Sequence, residues 1–348
     1  MTLRIAQWTT GNVARASLRS IVDREDMELV GVYAFSADKV GLDAGELGGL
    51  ARTLGVVATD DIAEIIALRP DCVAYMPLYP DVGHLCLLLE AGINIVTTAE
   101  FITGAAIGAD ARTRLEKAAI SGNASLFGSG VNPGWIEYLA AVASGVSRNL
   151  RSIRVTESFD LAFLSADGNQ DDFGWGRPAG DPGHAEDVAA GVEEFRDAVE
   201  MMARVMGVTL DDIRYEVEFA HATKDLDVAG RDVARGTVAG IDITWFGVVD
   251  GADVIELNAR WTLGTDLEPA WKTLMGYLIE VRADPQVNLR IDFLPQNMET
   301  ATMAEFALMG TTLTASPAVN AIPAVVAARP GIVTYADLPP MTANTTPR

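Results

Sequence analysis

The first 130 residues alternate between short apolar runs and amphipathic segments, and this alternation constrains the fold more than any other feature of the sequence. The amphipathic segments end in Pro or Gly, as helices commonly do. Alternation of strands and helices at this spacing predicts a doubly wound parallel sheet of the α/β class. The six apolar runs expected to form its strands are residues 4–8, 28–35, 55–58, 72–76, 94–97 and 124–127.

The pattern changes near residue 150, where longer strand-like runs begin. A loop rich in Gly, Asp and Pro spans residues 165–184, and helical periodicity follows from 185 to 206. Two hairpins are predicted, with turns at residues 250–253 and 283–286, because each of these segments joins two strand-like runs. Long antiparallel strands together with a helix indicate a second domain of the α+β class.

Composition excludes several classes of function. The chain has 48 acidic and 26 basic residues and a net charge of −22, which repels phosphate backbones, so we expect no nucleic-acid partner. No apolar run approaches the roughly 20 residues of a membrane span, and the N-terminus lacks a signal pattern. We therefore expect a cytoplasmic protein without a membrane partner. Cys72 and Cys86 are too few for a disulfide framework and match no metal motif.

The turn after the first predicted strand carries part of the G-x-G-x-x-G/A fingerprint of dinucleotide-binding folds, with Thr9, Gly11 and Ala14 at its glycine positions. Gly11 leaves room for a pyrophosphate, and N–H groups at the start of the next helix would bind that anion. Ala14 allows close helix–strand packing, whereas Thr9 replaces the glycine of the tight turn. An ordinary strand–turn–helix with one glycine is the alternative. The candidate cofactor-binding residues here are Thr9, Thr10, Gly11, Asn12, Val13 and Ala14.

The end of the second predicted strand indicates the type of cofactor. NAD-specific sites usually place Asp or Glu there, whereas this chain has Ser36, followed by Lys39. A hydroxyl and a cation suit a 2′-phosphate, so we predict NADP, with NAD possible and an ordinary polar loop as the alternative. The expected division is a Rossmann-type dinucleotide-binding domain at residues 1–130 and a substrate and dimerisation domain at 131–300. Residues 301–348 are expected to return to the first domain.

Several segments together resemble a known family: QWTTGNVAR, LVGVYAFSADKVGLDAGEL, NIVTTAEF, GSGVNPGW and NAIPAVVAARPGIVTYADLP. They are similar to dihydrodipicolinate-reductase-like proteins, and among these to 2,4-diaminopentanoate dehydrogenases and native amine dehydrogenases. The resemblance implies an NAD(P)-dependent homodimer that interconverts amines and ketones. Dihydrodipicolinate reductase itself carries a paired histidine and a lysine that are absent from VTESFDLAFLSADGNQ, so that activity is disfavoured.

Further candidates follow the carboxyl ends of predicted strands, where ligands of open α/β sheets bind. Glu100 is the candidate catalytic residue, because a carboxylate can stabilise an iminium cation and manage the protons of ammonia or a carbinolamine. In the resembling family, the glutamate of this TTxE context is the catalytic one. An acid in the first turn of a helix is the alternative. The additional candidate cofactor contacts are Pro77, Leu78, Tyr79, Thr98, Asn132, Pro133 and Asn320, of which Asn320 has an equally good packing interpretation.

Substrate contacts are expected from Trp135 and from the loop at 165–184. The candidates in this loop are Phe173, Trp175, Arg177 and His184. Arg177 is equally typical of a surface charge, and a lone histidine such as His184 is more often structural. A diamine substrate would need a second acid, and Asp171 or Asp172 is available in the same loop.

Three functions remain open from the sequence. The first is an NAD(P)H-dependent amine dehydrogenase that acts on a small ketone or aldehyde with ammonia, and on the amine in reverse. The second is a reductase of another C=N or C=O substrate. The third is a non-catalytic dinucleotide-binding regulator.

Overall fold

A computed structural model describes residues 2–163, 173–228 and 230–343 of the chain. The contacts divide it into two compact units: unit 1 comprises Met1–Trp135 and Leu308–Arg348, and unit 2 comprises Ile136–Ala307. No helix in the described ranges combines the length and apolar character needed to cross a membrane. Asp171 and Asp172 lie outside the described residues.

Unit 1 is built on a seven-stranded sheet in which every neighbouring pair is parallel. The prediction of a doubly wound parallel sheet is therefore confirmed. The strand order is β16-β6-β5-β4-β1-β2-β3. The strands are β1 (Leu3–Trp8), β2 (Met27–Tyr33), β3 (Ala58–Thr59), β4 (Cys72–Tyr75), β5 (Asn94–Thr97), β6 (Ser125–Gly128) and β16 (Gly331–Val333).

The helices of unit 1 begin where the sequence supplies caps. Asp43, Asp61 and Asp81 each accept a backbone N–H at the start of their helix, which satisfies a donor that the helix cannot. Thr302 and Glu305 form a reciprocal capping box at the start of the last helix. The helices that lie wholly in unit 1 are α1 (Asn12–Val22), α2 (Ala44–Leu47), α3 (Ile62–Ala67), α4 (Val82–Glu90) and α5 (Ala109–Gly122). Helix α9 (Met303–Val326) belongs to unit 1 from Leu308 onward.

Unit 2 contains a second seven-stranded sheet, which is mixed, with the order β13-β8-β11-β12-β7-β14-β15. Both predicted hairpins are present, because β11 pairs with β12 and β14 with β15, each antiparallel. The strands of the unit, including a separate β9–β10 pair, are β7 (Arg148–Asp160), β8 (Asp212–Ala222), β9 (Leu226–Val228), β10 (Arg231–Val233), β11 (Val238–Val249), β12 (Ala252–Thr262), β13 (Leu267–Glu268), β14 (Gly276–Asp284) and β15 (Val287–Ile291).

The helix expected at residues 185–206 is wrong as a single element. Two helices, α7 (His184–Ala190) and α8 (Glu194–Met206), replace it, and α6 (Trp135–Ala143) precedes them in the chain. The break follows Gly191, because glycine costs about 1 kcal/mol in a helix interior relative to alanine. Val192, at the break, is 2% exposed, and its N–H donates to Ala189 O at 3.3 Å, three residues back instead of four.

The two faces of the unit 2 sheet differ in polarity. One face carries Arg154 and Glu256 on adjacent strands, with N···O at 3.3 Å, and Arg260 paired with Asp242. The opposite face is apolar and covered by helices, since Phe195 of α8 contacts Trp261 of β12. Alternation along each strand separates the two sets of side chains.

Candidate active site

Thr9 forms the tight turn that the fingerprint normally assigns to glycine. Its φ is +71°, a left-handed conformation that costs a β-branched residue about 1–3 kcal/mol. Two hydrogen bonds hold it there: its N–H donates to Tyr33 O at 2.9 Å, and its Oγ1 donates to Met76 O at 3.0 Å. These acceptors lie at the ends of β2 and β4, so the turn is tied to both neighbouring strands.

The helix start after this turn is open to an anion. Gly11 is the N-cap of α1 with φ −72°, and no acid lies in the first helical turn, where Asn12 and Val13 stand. A Cβ built on Gly11 meets no heavy atom of the described residues within 4 Å. Ala14 is 1% exposed, as close helix–strand packing requires. Exposed donors at a helix N-terminus fit a pyrophosphate, so this turn has the properties that the fingerprint demands.

Ser36 and Lys39 lie in one turn after β2, because Lys39 N–H donates to Ser36 O at 2.9 Å. Ser36 is exposed and Lys39 is half-buried. The exposed Phe35 precedes them and contacts the ring of His84 from α4, with centroids 6.4 Å apart. The sequence does not predict this aromatic pair, because His84 is distant from Phe35 along the chain and only the fold places α4 beside the end of β2.

The segment after β4 exposes two large apolar side chains. Leu78 is 47% exposed and Tyr79 is 55% exposed, and both follow Pro77 at the carboxyl edge of the sheet. Exposed apolar groups at this edge fit the flat, apolar faces of a bound cofactor ring.

Glu100 lies in a loop after β5 and is half-buried, with Ala99 and Phe101 on either side at 0% and 2% exposure. The loop is anchored below it, since Thr98 Oγ1 donates to the Met76 sulfur at 3.1 Å. Helix α5 begins only at Ala109, so the alternative of an acid in a first helical turn is excluded. The position of the Glu100 carboxylate at the carboxyl edge of the parallel sheet is therefore not explained by a favourable interaction with a helix dipole.

Residues 129–135 form a closed turn after β6, here called the Asn132 turn. Gly130 N–H donates to Pro133 O, and Trp135 N–H donates to Gly130 O, both at 3.1 Å. Asn132 and Pro133 stand at its tip and are half-buried, and Trp135 begins α6. The turn thus projects from the same strand edge as Glu100.

Asn320 has contacts that favour its packing interpretation. Its Oδ1 accepts a hydrogen bond at 3.1 Å from Arg24, which also pairs with Asp26. Arg24 and Asp26 precede β2, so they lie at the amino edge of the sheet, opposite to the strand ends that carry the other candidates.

The described part of the candidate loop, which begins at Phe173, is tied to helix α7. Arg177 bonds Asp181 and Asp187, each at 2.6 Å, and the buried His184 holds the carbonyl of Phe173 2.8 Å from its Nε2. These contacts favour a structural interpretation of Arg177 and His184. Phe173 itself stacks on Trp261 with ring centroids 4.9 Å apart, and Trp175 is half-buried in the same loop.

Sequence analysis missed Glu157, a carboxylate on the apolar face of unit 2. In register it stands between Ala259 and Tyr277, and its Oε1 accepts the Trp261 indole N–H at 2.7 Å. Burial, with the charges of Glu157 and Glu137, raises the pKa of Tyr277 well above its ordinary value. The signal was present in the sequence, because Val155 and Phe159, two positions away on either side, are apolar.

Comparison with known proteins agrees with the resemblance. An amine dehydrogenase of Streptomyces virginiae is 28% identical over 349 residues, which span 95% of each chain. A 2,4-diaminopentanoate dehydrogenase of Acetoanaerobium sticklandii is 24% identical over 81% of this chain and 76% of its own. The structure of an amine dehydrogenase from Mycobacterium smegmatis superimposes with a TM-score of 0.78 at 22% identity, covering 99% of this chain and 98% of that one. The profile of the 2,4-diaminopentanoate dehydrogenase C-terminal domain matches residues 136–346, so the chain belongs to the family that carries this domain.

Proposed function

We propose that the chain is an NAD(P)H-dependent amine dehydrogenase, which converts a small ketone or aldehyde and ammonia to a primary amine, and the reverse. The observation that carries this proposal is Glu100, a half-buried carboxylate at the carboxyl edge of the parallel sheet and outside any helix. The similarity to an amine dehydrogenase and to a 2,4-diaminopentanoate dehydrogenase supports it. The donors at Gly11 and the apolar groups at Phe35, Leu78 and Tyr79 fit the proposed nicotinamide dinucleotide.

The proposed role of Glu100 follows from the charge of the substrate. Addition of ammonia to a carbonyl yields a carbinolamine, which loses its hydroxyl as water once that oxygen is protonated. The Glu100 carboxylate takes this proton from ammonium as ammonia is released, donates it to the hydroxyl and, ionised again, stabilises the iminium cation. When bound, the cofactor supplies the hydride that this cation accepts.

The direct test is an absorbance assay of the purified chain with reduced cofactor, small ketones and aldehydes, with and without ammonium. Cofactor oxidation that requires ammonium supports the proposal. Oxidation that is independent of ammonium identifies a reductase of another C=O or C=N substrate, and tight cofactor binding without turnover identifies a regulator. In the reverse direction, amines with and without a second amino group test whether the chain acts on a diamine.

We propose NADP as the preferred cofactor, supported by Ser36 and Lys39 in one turn after β2. Lys39→Gln should weaken NADPH binding about tenfold, because it removes a charge-assisted contact to the 2′-phosphate, and should leave NADH binding unchanged. Fluorescence titration with both cofactors measures the two affinities. Lys117→Gln, an equal change on the exposed surface of α5, is the control. Tighter binding of NAD than of NADP by the unaltered chain would refute this preference.

We also propose a cytoplasmic homodimer, with unit 1 binding the cofactor and unit 2 providing substrate contacts and the dimer interface. The resemblance to a typically homodimeric family supports the dimer, and the polar face of the unit 2 sheet is the proposed interface. Light scattering should give twice the chain mass of 37.0 kDa. A mass equal to that of one chain, independent of concentration, would contradict the dimer.

A further inference from the structure

We propose that Tyr335 is a positioning residue that holds the Asn132 turn in the conformation needed for cofactor binding. Tyr335 belongs to residues 329–338, here called the return segment, which includes β16. The inference rests on the proposed function, because it takes the Asn132 turn as part of the cofactor site. It assigns a role to a residue 206 positions from Ser129 that is not among the candidate site residues above.

The contact that carries the inference joins two buried hydroxyl groups. Tyr335 is 4% exposed and Ser129 is 1% exposed, and their oxygens lie 2.7 Å apart. Ser129 Oγ also lies 3.0 Å from the carbonyl oxygen of Gly130, to which it donates. Because a serine hydroxyl has one proton, Tyr335 must be the donor between the two hydroxyls.

The Tyr335–Ser129 hydroxyl pair is hydrogen-bonded to Gly130, the residue whose backbone closes the Asn132 turn. The Gly130 carbonyl accepts from both Ser129 Oγ and the Trp135 N–H. Gly134 lies against the same hydroxyl: its φ is +135°, and a Cβ built on it would stand 2.5 Å from Ser129 Oγ. The position of one serine oxygen therefore determines how the two ends of the turn pack together.

The return segment is itself rigidly held against unit 1. Its strand β16 pairs with β6, and the ring of Tyr335 meets the edge of Phe127 with centroids 5.2 Å apart. Asp337 accepts the Thr334 N–H at 2.9 Å and pairs with Arg329 at 2.8 Å. Tyr335 is thus presented to Ser129 from a fixed frame rather than from a frayed tail.

Tyr335→Phe removes the donor and keeps the ring, so the variant should fold. We expect its dissociation constant for NADPH to rise at least about fivefold and its kcat to fall about tenfold, with the KM for the amine unchanged. A turn without this restraint samples conformations that do not bind cofactor, and affinity falls with the population of the competent state. Ser129→Ala should have at least as large an effect, because it also removes the hydrogen bond to Gly130 O. The double variant should be no worse than Ser129→Ala, because the Tyr335–Ser129 hydrogen bond is already absent from that single variant.

Ser125→Ala is the matched control. Ser125 is also a buried serine of β6, and its Oγ donates at 2.8 Å to the Arg329 carbonyl of the return segment, but it makes no contact with the Asn132 turn in the described residues. Ser125→Ala should lower the melting temperature about as much as Tyr335→Phe does, but it should leave kcat and cofactor affinity unchanged.

The proposal is overturned if Tyr335→Phe leaves kcat and NADPH affinity unchanged. It is equally overturned if Ser125→Ala shifts them as much as Tyr335→Phe, since a general loss of stability would then explain both. Failure of the amine dehydrogenase proposal is distinguishable, because the wild-type chain would then bind NADPH without ammonium-dependent turnover, and the affinity measurements would still apply. A wild-type chain that binds no nicotinamide cofactor would refute both.

Discussion

Glu100→Gln is expected to lower the turnover number for reductive amination by about 100- to 10,000-fold, the range that general acid–base catalysis supplies. The amide is nearly isosteric, but it can neither protonate the leaving hydroxyl of the carbinolamine nor stabilise the iminium cation with a negative charge. Steady-state rates with saturating ketone, ammonium and NADPH measure this loss. The NADPH dissociation constant should stay within about twofold of wild type, because the carboxylate is proposed to act on the substrate.

Glu64→Gln provides the comparison, since it makes the same chemical change at an exposed position of α3. It should retain wild-type turnover. Circular dichroism of both variants establishes that the fold is kept. If Glu100→Gln retained near-wild-type turnover, Glu100 would have no part in the mechanism, and the proposed function would lose the observation that carries it.

Gly11→Glu is expected to weaken NADPH binding at least about 100-fold, or about 2.8 kcal/mol, without lowering thermal stability. The fold does not require glycine here, because φ is −72° and a Cβ meets no described heavy atom within 4 Å. A side chain would instead occupy the approach of the pyrophosphate, and its negative charge would oppose the anion at the helix N-terminus. Cofactor titration and a thermal melt measure the two quantities separately.

Two other glycines make this experiment specific. Gly145→Glu places the same charge at another exposed glycine with equally open surroundings in the described residues, and should change neither quantity. Gly128→Ala should unfold the protein readily, because its Cβ would lie 1.8 Å from Phe101 O. Wild-type cofactor affinity in Gly11→Glu would show that this turn does not hold a pyrophosphate.

Much of the fold was accessible from the sequence because it depends on local periodicity. The parallel strands of residues 4–8, 72–76 and 94–97 were located to within a residue or two, since each is a buried apolar run between helical segments. The interruption of the helix at 185–206 was not predicted, because apolar and polar residues continue with helical periodicity across the break at residues 191–193. The local pattern predicts one continuous helix there, whereas the folded chain has two helices.

The candidate site divides in the same way. Gly11 and Glu100 could be selected from the sequence, because chemistry at the carboxyl ends of parallel strands follows from strand positions alone. Asn320 could not be judged, because its partner Arg24 is 296 positions away. Glu157 carried a visible signal, a charge at an apolar position of an alternating strand, but its partners Trp261 and Tyr277 depended on strand order.

The linear order of residues is sufficient to place the turn at Thr9 and to propose that it binds a phosphate. The left-handed backbone of Thr9 and its bond to Met76 O arise only when β1 and β4 become neighbours in the sheet. The same holds for Tyr335 and Ser129, whose hydroxyls meet across 206 positions. Local propensity is encoded within a few residues, whereas strand order and register come from burying all the apolar faces at once, and these long-range contacts set the geometry of the site.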